Sequence, residues 1–457
     1  MLKTKIAVQV VGSGVLADDA IMLGETYLKR WKIPQGQSVV LKFGAFRQHV
    51  KVVPVPRYDG LRINQRLARL MGIAEGAALR LQYRAAMATL ALGPLIGVLV
   101  SRDYPQQPDR PFGSITLFCK ELVEACAAQG AYVYFFTPGG IGTDADSVDG
   151  WVYHNGWTRV TMPLPDVVNN RLTSRKLENL PSVRQFISMA KSRHQTYMFN
   201  EKFLDKHDVF DALGRDPSLS KYLPESHLLL GFATLKTMCA RYPVVFLKPV
   251  RGSLGKGIIR INRLDGQQFQ ATYSTAAGSR RQVYPNLTKL FASLSGKVKS
   301  VRYQLQQGLQ LIEIQKRPVD FRALVQKNAT GKWGITSIVA RTAGSNHFVS
   351  NLARGGTLSK VKDALAKCSL PPSGRGDAFI RLQKAALEIA KGIEAHIPAH
   401  FGELGIDLAL DKNGKVWLLE VNSKPSKNDN TPLTENKVRP SVRNMIQYAR
   451  YLSGFER

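Results

Sequence analysis

The chain is short of acid, of cysteine and of long apolar runs, and each shortage excludes something. Its 457 residues hold 34 Asp and Glu against 64 Lys and Arg, a formal charge of +30. That excess draws polyanions: nucleic acid, an anionic polymer or an acidic substrate. A solvated basic surface with no specific partner satisfies the composition equally. There is no compact Arg/Lys tract, zinc module or aromatic RNA-binding motif, so specific nucleic-acid recognition is not indicated. The four cysteines, Cys119, Cys126, Cys239 and Cys368, include no CxxC pair, and the eight histidines show no metal-ligand spacing. Cys119 and Cys126 fall on one predicted helix as core residues, and a reduced, cytoplasmic protein is expected. The longest apolar stretch, Ala85 to Val100, is short for a membrane span and is broken by Gly93-Pro94. The apolar run after Lys3 and Lys5 is interrupted by Gly12, Ser13 and Gly14 and ended by Asp18-Asp19, so it reads as a strand and turn rather than a signal peptide. No transmembrane helix, internal repeat or long low-complexity segment is expected.

What is present is ordinary globular material, 44% hydrophobic and 21% charged, with length for two or three domains. Residues 1–92 alternate short strands such as Ile6 to Val11 and Ser38 to Phe43 with Gly- and Pro-bearing turns, and one helix is expected near Asn64 to Met71. This predicts a small, basic, β-rich, barrel-like domain, with 14 Lys/Arg against 5 Asp/Glu up to Pro94. Its role is structural packing or polyanion docking. Residues 93–195 change character. The apolar strand Leu95 to Ser101, the helical period through Ile115, Phe118, Cys119, Leu122 and Cys126, and the strand Ala131 to Phe136 make a βαβ unit of a parallel sheet. Ser114 is expected as the helix N-cap.

Residues 196–457 carry the chemistry. The stretch Gly402 to Pro425 holds two apolar runs about the turn Asp411 to Gly414, a predicted β-hairpin. Glu420 and Asn422 share a face. Pairing Leu410 with Lys415 puts Asp407 opposite Leu418 and diagonal to Glu420. Two carboxylates and an amide oxygen on one face suit Mg²⁺; an exposed hairpin with solvated acids is the plainer reading. Upstream, Asp205-Lys206 opens a helix. Lys248 ends the strand Tyr242 to Val250, where its amine on an apolar face needs a partner or water. The loop Arg251 to Gly257 contains Gly252, Ser253, Gly255, Lys256 and Gly257. It is either a plain hairpin turn or a phosphate clamp built from backbone N–H groups and lysines. It is not a Walker A loop. Tyr303 to Leu309 is a strand running into a linker. Arg317 to Gln326 and Trp333 to Arg341 form a hairpin in which Asp320, Arg322 and Arg341 are surface ion pairs or a cationic wall. Asn351 to Gly356 is a second ligand-compatible loop.

Taken in order, Phe246-Leu247-Lys248-Pro249, Arg251 to Gly257, Arg317 to Gln326, Asn351 to Gly356 and GELGIDLALDKNGKVWLLEVNSKPS resemble the ATP-grasp superfamily, and within it the YheC/YheD-type endospore coat-associated family. The resemblance covers about residues 93–457. It implies an α+β / α/β architecture: an ATP-grasp fold of two α+β subdomains over 196–457, preceded by a Rossmann-like pre-ATP-grasp domain over 93–195 and the small N-terminal β-rich domain. It further implies that Lys206 and Lys248 contact ATP phosphates, that backbone from Gly252 to Gly257 covers them, and that Gln306, Gln307, Gly308 and Leu309 border adenine. Asp407, Glu420 and Asn422 would hold one or two Mg²⁺ ions. Arg322 and Arg341 would stabilise a transferred phosphate or a substrate carboxylate. The expected activity is a carboxylate–amine or carboxylate–thiol ligase that forms an acylphosphate and releases ADP and phosphate. The alternative is a nucleotide-binding structural or regulatory protein of the spore coat with little or no catalysis. Partners would be ATP, small-molecule or peptide acids and amines, and spore coat proteins or polyanions, with no membrane.

Overall fold

The computed structural model describes residues 4–12, 14–34, 36–142, 146–252, 256–275, 278–344, 355–426 and 438–455. Ser253, Gly255 and the stretch Asn351 to Arg354 lie outside these residues.

Strands Lys5–Val11, Ala20–Gly24, Ser38–Phe43, Phe46–Val55, Leu61–Asn64, Ala78–Arg84 and Thr89–Gly93 close into a barrel. Alternation builds it: Val39, Leu41 and Phe43 point inward and are almost fully buried, as are Leu79 and Leu81. Helix Gln65–Met71 starts where Asn64 accepts a hydrogen bond from the Leu67 amide at 2.8 Å. Contrary to expectation the barrel contains a repeat. The strand–helix–strand unit Ala20–Gly24, Glu25–Trp31, Ser38–Phe43 recurs as Leu61–Asn64, Gln65–Met71, Ala78–Arg84. The equivalent positions Lys32 and Gly72 are both left-handed, with φ of 52° and 64°, and so are Gly36 and Gly76, with φ of 78° and 74°. Few identities survive between the two copies, so the repeat lives in apolar spacing and backbone conformation.

A second sheet is built on parallel strands Leu95–Leu99, Tyr132–Phe136 and Val167–Asn170, each buried along nearly its whole length, as a sheet covered on both faces requires. Helix Thr116–Gln129 crosses between the first two and ends on left-handed Gly130. Ser114 is not its cap. It lies in a preceding 3₁₀ turn, Gly113–Ile115, and Thr116 accepts from the Phe112 amide at 3.1 Å instead. The last helix, Pro440–Ser453, returns to this sheet, and its Val442, Met445 and Ile446 share an apolar cluster with Phe118 and Leu122.

Two further sheets face the chemistry. In the first, Val244–Pro249 lies between Tyr303–Gln307 and Ile259–Arg263, followed by Phe269–Thr275 and Gly278–Tyr284. Helices Phe232–Arg241 and Leu287–Ser300 pack on one of its faces through Val245, Leu247, Ile259, Ile261 and Leu290. In the second, Arg317–Lys327, Trp333–Thr342, Glu403–Leu410 and Val416–Asn422 are antiparallel neighbours. Helix Ala378–His396 covers its back through Leu382, Ala386, Ile389 and Ile393 against Phe321, Ala323, Ile406 and Leu408. The opposite faces of these two sheets carry the charged side chains, among them Lys248 and Arg260 in the first and Asp320, Arg322 and Asp407 in the second.

Candidate functional site

The hairpin Glu403–Leu410 and Val416–Asn422 is the foundation. Near its turn the ladder is regular, with Leu410 opposite Val416 and Leu408 opposite Leu418. Leu419 then has no partner, and beyond this bulge Asp407 stands opposite Glu420 and Gly405 opposite Asn422. The expected register is therefore corrected: Leu410 pairs with Val416, not Lys415, and Asp407 meets Glu420 directly, not diagonally. The extra residue also moves Glu420 to the other face. Val416 and Leu418 sit in the apolar core, whereas Glu420 and Asn422, at the same parity, leave it.

Asp407 is held by cations. Arg322 Nη2 donates to its Oδ2 at 2.9 Å, with a second contact from Arg322 Nε, and Arg341 Nη2 lies 3.0 Å from the same oxygen. Arg341 also forks onto Asp320 at 2.6 and 2.9 Å. Burial pushes the Asp407 carboxyl up, but the two guanidiniums overcome it and hold the group at about 2. Burial likewise opposes the charge of Arg341, and Asp407 and Asp320 more than compensate. The pairs expected as surface charges are thus nearly buried.

Lys206 opens helix Lys206–Gly214, whose first turn is capped by Asp205. Its ammonium donates to the Gly252 carbonyl and to Glu420 Oε1, each at 2.8 Å. One side chain thus ties the glycine loop of the first sheet to the carboxylate strand of the second. Lys248 is on the cleft face of its strand and donates to Gln306 Oε1. Burial and the neighbouring Lys206 ammonium lower its pKa to about 8, against the pull of Glu420, Asp407 and Asp320. The structure therefore brings Lys206, Lys248, Arg322, Arg341, Asp407 and Glu420 into one cleft.

Other expected residues border it. Asn422 Oδ1 accepts from the Lys424 amide at 2.9 Å. Gly257 has φ of 72°, a conformation suited to glycine, and Lys256 is exposed. Gln306 is buried and donates from Nε2 to Ser226 at 3.2 Å; Gln307 accepts from the Glu225 amide at 3.2 Å; the Gly308 amide donates to Val244 at 2.8 Å. Leu309 is half-buried. Side-chain bulk at Gly308 would press on the Val244 carbonyl, 2.6 Å from a Cβ, which pins this segment to the strand edge. Among the described residues no group of three His, Cys, Asp or Glu side chains forms a metal-ligating cluster.

Sequence reasoning missed Glu403. It is buried and accepts from Arg171 at 2.5 Å and Gln326 at 3.1 Å. Arg171 also donates to the Pro425 carbonyl at 2.8 Å, so it fastens both ends of the hairpin motif to the parallel sheet. A second acid besides Asp407, at the start of a fully buried strand rich in Leu and Ile, was the available signal. The four cysteines are free thiols in the core.

Residues 195–452 match the model of the YheC/D-like ATP-grasp family. The chain belongs to that family. Its ATP-grasp fold is the pair of sheets just described. It is 31% identical over 367 residues to the endospore coat-associated protein YheD of Bacillus subtilis strain 168, covering 80% of each chain. It is 25% identical over 316 residues to YheC of the same strain, covering 68% of this chain and 85% of that one. Among solved structures, the VanG D-Ala:D-Ser ligase of Enterococcus faecalis superposes with a TM-score of 0.46 at 12% identity, over 80% of this chain and 100% of that one. That likeness is too distant to carry chemistry across. No helix among the described residues of this YheC/D-like protein is long and apolar enough to cross a membrane.

Proposed function

We propose that this ATP-grasp protein is an ATP- and Mg²⁺-dependent ligase joining a carboxylic acid to an amine or thiol. The observation that carries the reading is the convergence on one cleft of Lys206, Lys248 and the facing pair Asp407 and Glu420, with Arg322 and Arg341 behind Asp407. The donor set fits a hard cation. Two carboxylates face each other across one rung, an amide oxygen follows two residues on, and Asp407 stays ionised well below neutral pH. Asp407, Glu420 and Asn422 would hold one or two Mg²⁺ ions, and bound Mg²⁺ would neutralise charge on phosphate oxygens.

Bound ATP would pass its γ-phosphoryl group to a substrate carboxylate, and an amine or thiol would displace phosphate from the acylphosphate. Lys206 would leave Glu420 for phosphate oxygens once a cation takes its place. Lys248, lined up by Gln306, would offer a second ammonium, and backbone from Gly252 to Gly257 would close over the phosphates. Gln306 to Leu309 would frame the adenine edge. Arg322 and Arg341 already share Asp407, so they would act on an incoming anion by dividing their donors between it and that carboxylate. No side-chain nucleophile is needed.

A second reading, a nucleotide-binding structural or regulatory protein of the spore coat, takes support from the names of the Bacillus relatives and from the closed ion pairs around Asp407. Residence in the cytoplasm with association to a forming spore suits either. Turnover separates them. ATP is incubated with a pool of small acids and amines, beside Glu420→Ala. Acceptor-dependent release of both ADP and phosphate, lost in the variant, is the ligase outcome. A stable phosphorylated product without free phosphate makes the protein a kinase. ATP binding with no release favours the structural reading.

A further inference from the structure

The sheet that carries Lys248 extends three strands beyond it, and the cleft face of that extension is mostly polar, with Val283 its apolar exception. Ile259, Ile261 and Ala271 point to the helices. Arg260 and Asn262, at the alternate positions, face the cleft with Phe246 and Lys248. Arg260 stands opposite Thr272, and Thr272 opposite Arg281; Ser274 is two residues on from Thr272 and on the same face. Three of the five buried side-chain atoms left without a hydrogen-bond partner among the described residues lie on this face: Arg260 Nε, Asn262 Oδ1 and Ser274 Oγ. Three polar atoms shielded from bulk solvent on one face of one sheet, with no protein partner among the described residues, are open to a ligand. The charge there is positive. Burial and Arg281 both disfavour the Arg260 cation, and Glu313 opposes them without overcoming them.

The atoms define what would satisfy them. Arg260 Nε–H donates, Asn262 Oδ1 demands a donor, and Ser274 serves either way. A simple carboxylate leaves Asn262 unmet. A peptide bearing acidic side chains supplies carboxylates for Arg260 and Arg281 and backbone N–H groups for Asn262. These residues also lie on the far side of the Lys248 strand from Gln306. At about 4.8 Å per strand, Ser274 and Arg281 stand roughly 10 and 14 Å from the Lys248 strand, in the direction away from Gln306. We propose that Arg260, Asn262, Ser274 and Arg281 form a docking strip for an acidic peptide, the extended part of the ligase's substrate. This rests on the ligase reading and gives it a substrate class.

The test uses the full chain, fluorescently labelled hexaglutamate as probe, and polarisation at physiological ionic strength, with a parallel titration of ADP. Arg280 and Arg281 are both exposed, and their substitution removes the same charge; but Arg280 is opposite Tyr273, on the helix-packed face. Arg281→Gln and Arg260→Gln are expected to weaken hexaglutamate binding roughly tenfold each, the loss of a charge-assisted hydrogen bond. Arg280→Gln is expected to leave it within about twofold, and ADP affinity is expected to stay constant in all three. Equal weakening by Arg280→Gln and Arg281→Gln would mean diffuse charge attraction and overturn the strip. So would absent hexaglutamate binding, or a parallel fall in ADP affinity, which would hand these atoms to the nucleotide. The readout is binding alone. A strip that behaves as expected in a chain that never releases ADP and phosphate would count against the ligase and not against the strip.

Discussion

Asp407 stands opposite Glu420 because Leu419 is one residue more than the ladder can pair. Without that bulge Glu420 would follow Val416 and Leu418 into the apolar core. The bulge is thus what brings the two carboxylates to one rung, between Arg322 and Arg341 on one side and Lys206 on the other.

Replacing Asp407 by Asn keeps the shape and removes the charge that two nearly buried arginines share. The expected cost is about 3 kcal/mol of unfolding free energy, the scale for breaking a buried ion pair from one side. Urea unfolding of Asp407→Asn beside the parent chain measures it. A change below roughly 0.5 kcal/mol, typical of an exposed pair, would contradict the burial argument.

Lys248 predicts a pH dependence with a definite sign. Its amine is depressed to about 8 in the free chain, and a bound phosphate would raise it. Below pH 8 the ammonium is present in both states and ADP affinity should be flat. Above pH 8 binding must take up a proton, so affinity should fall by up to about tenfold per unit. Lys248→Met should bind ADP weakly at every pH and lose the slope. A wild-type affinity that is level from pH 7 to pH 9.5 would count against contact between this amine and phosphate.

Lys206 fastens the glycine loop through the Gly252 carbonyl as well as facing Glu420. Lys206→Ala should raise the Kd for ADP roughly tenfold, the loss of one charge-assisted contact. Hydrogen exchange of the ligand-free variant should also quicken around Gly252, and unchanged exchange there would dismiss the tether.

The barrel duplication makes a stability prediction remote from the site. Lys32 occupies a left-handed position that Gly72 occupies in the other copy. Lys32→Gly should stabilise by about 0.5 kcal/mol. Gly72→Ala should cost more than about 1 kcal/mol, since the Met162 sulfur lies 2.3 Å from where a Cβ would stand. Thermal melts of the two variants should therefore move in opposite directions.

How much of this was legible in the sequence depended on whether a feature is local. The strands Ser38–Phe43 and Tyr303–Gln307 and the helix before Gly130 announced themselves through alternation, helical period and an αL glycine. The glycines, lysines and acids of the cleft were visible as residue types in order. Their pairings were not. Nothing local marks Leu419 as the bulged residue, and counting from the turn gave Asp407 the wrong opposite. Nor does any short window show that Arg341 would fork onto Asp320, across the hairpin, and still reach Asp407. Glu403 and Arg171, 232 residues apart, meet only when two sheets pack. The barrel repeat escaped because two copies can share a backbone path with few shared residues. Asn262 and Ser274 belong to no sequence motif, and only the strand pairing puts them on one face.

The measurement that goes to the centre of the account is ATP binding to the whole chain with and without Mg²⁺, in the parent and in Glu420→Gln. If Asp407 and Glu420 hold a cation beside the Lys206 and Lys248 phosphates-side amines, Mg²⁺ will tighten ATP binding in the parent by tenfold or more, on the order expected for a bridging cation, and the effect will vanish in Glu420→Gln. ATP affinity that ignores Mg²⁺ in both proteins would contradict it.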